Sequence, residues 1–180
     1  MKIRPNTTWR LGTRHTRPHL SLPPNNCRIS LSRILVPIDF SVESRRALEY
    51  ASAFALHFRA CITLLHVVAA IVCEADYGYG LVIRQVPNPE LLKKAKRRLE
   101  SVRKSLPGPE LKVAVLVRTG LSHGEIIQTA KDSEIDLIIM GTHVDSTSGQ
   151  TPTGSTAETV VRHAPCPVLV VRRKEQEFVV

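Results

Sequence analysis

Between an apolar run ending at Met140 and a helical pattern beginning at Thr156, the chain reads Gly141-Thr142-His143-Val144-Asp145, with nine residues separating Val144 from Gly154-Ser155-Thr156. A glycine-bounded polar loop from strand to helix suits a phosphate. Glycine lets the backbone approach closely, and the free N–H groups of a helix start bind anions. Gly141 and Gly154 bound this loop, and Ser155 and Thr156 open the helix behind it. Val144 and Asp145 work against it. Valine disfavours positive φ and adds a branched side chain where the backbone would have to come near. Asp145 is a like charge, and no Lys or Arg occurs from Gly141 to Val161. A triphosphate would meet backbone dipoles and little else, so ATP binding is expected to be weak or absent. The counter-argument is that a nest of N–H groups can hold an anion unaided. Ser155 has a plainer role as well, as the cap of the following helix.

Asp39 is the other residue placed for chemistry. It closes the apolar run Ile34-Leu35-Val36-Pro37-Ile38 and precedes Ser41. It either faces a cleft or merely starts the turn before a helix cap. Catalysis finds little support. No GxxxxGK[ST] loop is present, and Gly78-Tyr79-Gly80 lacks the third glycine of a dinucleotide fingerprint. The histidines are scattered, and His66 reads as a packed strand residue. Weak ATP hydrolysis is the most that is expected. Cys27, Cys61, Cys73 and Cys166 show neither CxxC nor zinc spacing, so no metal site is predicted beyond Mg accompanying ATP. They read as buried free thiols of a reducing compartment, hence a cytoplasmic protein.

The elements that must position these residues alternate. Ile34–Ile38 is a strand, and Ser41 caps a helix whose stripe runs from Ala47 to Phe58. Cys61–Val68 is a second strand. Leu91 to Leu106 is a second helical stripe, stopped by Pro107-Gly108-Pro109. Leu111–Val117 is a third strand, and Ser122 with Glu125 forms a capping box for a third helix. Ile135–Met140 is a fourth strand, Ser155 with Glu158 a capping box for a fourth helix, and Pro167–Val171 a fifth strand. Residues 69–87 fit no element and read as a surface loop or a lid. Such βα alternation predicts an α/β fold, a doubly wound five-stranded parallel sheet of order 3-2-1-4-5. Its switch point lies between strands 1 and 4, where ligands sit at the carboxyl ends: Pro37-Ile38-Asp39 and Met140-Gly141-Thr142.

Charge sorts the chain into parts. The formal net charge is +9, yet seven of the 25 basic residues lie at or before Arg33, and no acidic residue precedes Asp39. The remainder holds 18 basic against 16 acidic residues, close to neutral, so no nucleic acid partner is expected. No apolar run spans a bilayer, so no membrane is expected either. Residues 1–31 form a basic, proline-bearing tail, expected to be disordered. Three other readings stay open for it: a targeting segment, a start-site artefact, or a basic anchor for an acidic surface. The domain is placed at 32–174, followed by a short tail at 175–180.

RILVPIDFSVESRRALEYASAFA, LLHVV, TAKDSEIDLIIMGTH and GSTAETVVRHAPCPVLVVR resemble the universal stress protein family from Arg33 to about Arg172. The resemblance implies an adenine nucleotide alpha hydrolase-like fold and a small stress-response protein. The nucleotide-binding members carry glycine, two residues, glycine, nine residues, glycine and then serine or threonine. Gly141, Gly154 and Ser155 match that pattern, and Val144 departs from it. The resemblance puts an adenine contact at Asp39, with Val67 or Val68 bordering the base, and Pro37, Ile38 and Met140 join them as strand ends at the switch point. It puts phosphate or ribose contacts at Gly141, Gly154, Ser155 and Thr156. It also implies a homodimer through the edge strand Pro167–Val171, for which a fold-back of residues 175–180 is the alternative. A ligand-independent dimeric interaction protein remains the competing function.

Overall fold

The computed structural model describes residues 29–69, 71–76, 81–86, 88–108, 110–142 and 156–172, with 71–76 and 81–86 as backbone. In chain order the elements are β1 (Arg33–Pro37), α1 (Val42–Phe58), β2 (Cys61–Val68), β3 (Ile71–Asp76), β4 (Leu81–Val86), α2 (Pro89–Lys104), β5 (Val113–Thr119), α3 (Ser122–Asp132), β6 (Leu137–Gly141), α4 (Thr156–His163) and β7 (Val168–Val171). The main sheet runs β5-β2-β1-β6-β7, and every pairing in it is parallel. This is the predicted order 3-2-1-4-5, with β5, β6 and β7 as the third, fourth and fifth strands.

Period-two alternation divides the core. Ile34 and Val36 of β1 and Ile62 and Leu64 of β2 pack with Ala47, Leu48 and Ala51 of α1 and Leu99 of α2. Leu35, Leu65, Ile138 and Met140 face the other way, against Ile126 and Ala130 of α3 and Ala157 and Val160 of α4. A sheet covered on both faces needs strands that are apolar throughout, which is why these runs show no polar alternation. Leu31, the last residue of the expected tail, is itself buried in this core.

Four local expectations are corrected. Residues 71–86 form an antiparallel ribbon, β3 paired with β4 from Ile71↔Val86 to Asp76↔Leu81, where a structureless loop was expected. Ile71, Val72, Val82, Ile83 and Val86 are β-branched and favour extended backbone, a signal that the neighbouring glycines of the sequence obscure. Residues 77–80 and 109 lie outside the described residues. At α3, Leu121 takes the cap position in an extended conformation and makes no side-chain cap bond. Ser122 is the first helical residue, one place too far along for its hydroxyl to cap. Cys61 is exposed, because it opens β2 at the amino rim, beyond the helices. Cys166 is half-buried, and burial pushes its thiol above the ordinary range. The extra α2 turn at Pro89 comes from Asn88, whose Oδ1 accepts from the N–H groups of Glu90 (3.0 Å) and Leu91 (3.3 Å).

Leu99 is fully buried and anchors α2 to the sheet, whereas Leu91 on the same helix is 41% exposed. Leu99→Ala should lower unfolding free energy by about 2–5 kcal/mol, and Leu91→Ala by no more than about 0.5 kcal/mol, read as urea midpoints at unchanged slope.

Candidate functional site

Because β2, β1 and β6 are parallel neighbours, their carboxyl ends share one rim. Pro37, Ile38, Asp39, Val67, Met140 and Gly141 are thereby brought together there. The Ile38 N–H donates to the Leu65 carbonyl at 2.7 Å and carries the ladder past the end of β1. Asp39 then turns the chain. Its Oδ1 accepts from the Ser41 N–H at 2.9 Å and from the Ser41 hydroxyl. Ser41 Oγ in turn accepts from the Ser44 N–H at 3.1 Å, which caps α1. The turn reading of Asp39 is thus realised. Asp39 is also exposed at the rim, so the two readings coexist.

Phe40 lies in the left-handed region, with φ at 67°. An aromatic residue enters that region only when its surroundings hold it. Here the hold comes from two sides. The His66 ring centre is 4.6 Å from that of Phe40, and the Arg98 Cζ of α2 sits 4.0 Å over the ring. His66 Nδ1 lies 2.6 Å from the Ile38 carbonyl oxygen. That oxygen can only accept, so Nδ1 carries the hydrogen.

Gly141 ends β6 directly under α1. A Cβ at this position would lie 2.5 Å from the Glu43 carbonyl carbon and 2.7 Å from the Ser44 nitrogen, both backbone atoms. Glu43 and Ser44 are themselves buried in that first turn. The missing side chain of Gly141 therefore serves the close approach of helix to strand. Met140 is buried in the core, so only its backbone reaches the rim. Val67 is half-buried and packs toward α3 and α4. Thr156 opens α4, which connects the parallel strands β6 and β7, so that its amino end returns to the same rim. Val144, Gly154 and Ser155, and with Ser155 the second capping box, lie outside the described residues.

One rim residue escaped the sequence reading. The β6–β7 register pairs Gly141 with Val171, and the Thr142 N–H donates to the Val171 carbonyl at 3.0 Å. Arg172 therefore follows at the carboxyl rim beside Thr142. Counting cations along 141–161 could not find it, since only the strand order brings it near. Among the described residues no group of three His, Cys, Asp or Glu side chains could hold a metal ion. No described helix is long and apolar enough to cross a membrane.

A model of the universal stress protein family matches residues 31–172. The chain is 30% identical over 159 residues to universal stress protein MJ0577 of Methanocaldococcus jannaschii, covering 81% of this chain and 98% of that protein. The solved structure of MJ0577 superposes with a TM-score of 0.60 at 28% identity, covering 82% of this chain and all of that one. A universal stress protein in complex with cAMP has a TM-score of 0.57 at 19% identity, covering 79% of this chain and 98% of that one. One from Archaeoglobus fulgidus in complex with dAMP has a TM-score of 0.52 at 19% identity, covering 79% and 99%.

Gly141→Ala should lower stability by about 1–3 kcal/mol or more, because backbone rather than a flexible side chain must give way. Differential scanning calorimetry measures this, and a melting temperature equal to wild type would disprove the contact between β6 and α1.

Proposed function

The chain belongs to the universal stress protein family, and from that premise we propose that it is a small dimeric stress-response protein with a low-affinity adenine-nucleotide cleft at the β1/β6 switch point. The observation that carries this reading is the shared rim, where the exposed Asp39 opens beside Gly141. Asp39 is an exposed carboxylate, an acceptor suited to an amine or hydroxyl of an adenosine group. Val67 supplies apolar surface for the base, whereas the Ile38 side chain is buried in the core and only its backbone reaches the rim. The amino end of α4 at Thr156 directs the positive end of its dipole at phosphate, and Arg172 follows β7 at the same rim.

The phosphate side is the weak side. Val144 and Asp145 oppose close approach of an anion, and the loop contributes no cation. A monophosphate asks less of such a loop than a triphosphate, and the two nucleotides in the related complexes, cAMP and dAMP, each carry one phosphate. AMP-like ligands are therefore favoured over ATP. The same two residues favour a second reading, in which the cleft is vestigial and the protein acts only through its dimer.

Isothermal titration of the full chain separates these. We expect saturable AMP binding, ATP binding with a dissociation constant above about 10 μM, and tighter ATP binding for Val144→Gly. Silence for wild type and variant alike, with no nucleotide carried through purification, would leave the vestigial reading.

The dimer rests on β7. It pairs with β6 on one side, and among the described residues no strand pairs its other side. An apolar edge invites pairing with its own copy around a twofold axis. Light scattering behind size exclusion should give twice the monomer mass. Val170→Pro, which removes one ladder donor, should shift the particle to monomer. A monomeric wild type at micromolar concentration overturns this part.

A further inference from the structure

The near-neutral total beyond Arg33 averages over an uneven distribution. α2 carries Lys93, Lys94, Lys96, Arg97, Arg98, Arg103 and Lys104 against Glu90 and Glu100, a net of +5. The rest of the chain beyond Arg33 holds 11 basic and 14 acidic residues. The inward side of α2 is used up: Ala95 and Leu99 are buried, and Val102 packs against the same core. Its outward side is a crest. Lys93, Lys96, Arg97 and Lys104, with Glu100 and Ser101 among them, line an open groove of about 450 Å³ there. Arg103 and Lys104 border a second of about 390 Å³, which also takes in Leu106 and Val113.

Internal pairing leaves much of this charge open. Glu90 takes Lys93 at 3.3 Å, and Glu100 takes Arg103 at 2.8 Å. Arg98 is engaged on Phe40. Lys94, Lys96, Arg97 and Lys104 make no ion pair among the described residues. Lys93 with Arg97, and Lys94 with Arg98, are like charges one turn apart, an arrangement that opposes the helix until an anion arrives.

We propose that this crest binds nucleic acid through its phosphate backbone, without reading sequence. The cations extend along a rigid helix of about 24 Å, which matches an extended polyanion better than a single ion. A protein partner would want an aromatic anchor at a desolvated centre, and α2 contains no aromatic residue. A bilayer would want apolar residues pointing outward, and Leu91 in the first turn is the only large apolar residue of α2 that is exposed. Arginine and lysine can read guanine, but Lys96, Arg97 and Lys104 are exposed and no ion pair among the described residues fixes their heads against a base edge. Phosphate contact needs only cations, and its driving force is the release of counterions.

The test uses the full chain and a fluorescein-labelled 20-nucleotide polydeoxythymidine, followed by anisotropy at several NaCl concentrations. Lys96→Glu/Arg97→Glu/Lys104→Glu should weaken binding at low salt by about tenfold or more, and should flatten the log–log salt dependence by about 2, for three lost phosphate contacts. A control of equal charge, Lys112→Glu/Arg118→Glu/Lys131→Glu, should keep both affinity and slope near wild type. Circular dichroism melts check that both variants are folded. The proposal is overturned if the crest variant binds as wild type does, which would move the binding to the basic tail. It is equally overturned if the control loses as much as the crest variant, or if phosphatidylserine vesicles bind as tightly as the oligonucleotide and lose as much in the crest variant.

Discussion

The rim depends on one close approach: the first turn of α1 lies on the end of β6 with no room for a side chain between them. Gly141 makes this contact with the backbone of Glu43 and Ser44. At the opposite rim, Asp136 holds the start of the same strand pair. Its Oδ2 accepts from the N–H groups of Ser32 and Arg33, each at 2.8 Å, and its own N–H donates to the Arg33 carbonyl at 2.9 Å. β1 and β6 are thus fixed at both ends. A slip of one residue would exchange the side chains packed against α1 and α2 with those packed against α3 and α4, so the fit of two different cores specifies the register that sets Asp39 beside Gly141.

Within that frame the β1–α1 turn is under tension. A left-handed non-glycine residue costs on the order of 1–3 kcal/mol. The helix cap by Ser41 offsets about 1 kcal/mol of this, and a cation over an exposed ring about 0.5–1 kcal/mol. The His66 contact and the Asp39–Ser41 bonds add to these. Four elements therefore converge on one turn of three residues. The outcome is a carboxylate that is exposed and yet fixed in place, which a binding rim needs.

Much of this was legible in the sequence, because most signals are local. Apolar runs of strand length, helical stripes and the Ser41 cap mark the strands and helices locally, and their order in the sheet followed from the regular βα alternation. The Asp39 turn was legible for the same reason: Asp followed two residues later by Ser is a short-range device. What could not be read was set by distance or by offsets of one residue. Arg98 reaches Phe40 only because α2 lies beside α1, far along the chain. Arg172 reaches the rim only through the β6–β7 register. The capping box at Ser122 failed by a single position, since Leu121 adopts the extended conformation that the motif assigns to serine. The exposure of Cys61 follows from its place at the first step of β2, where strand propensity says nothing about cover.

α2 borders both regions proposed to meet an anion, and its cations divide by what restrains them. Arg98 is stacked on Phe40 and serves the rim from behind. Arg97 and Lys104 stand on the crest with no ion pair among the described residues. The two regions also differ in how they would attract an anion. At the proposed rim site the attraction would come from the start of α4 and from the arginine that follows β7. On the crest it comes from exposed side chains, screened within about 8 Å at physiological ionic strength. Salt therefore acts steeply on the crest and mildly on the rim. A nucleotide held at the rim and a polyanion held on the crest would answer to different conditions, although both depend on the same helix staying docked through Leu99.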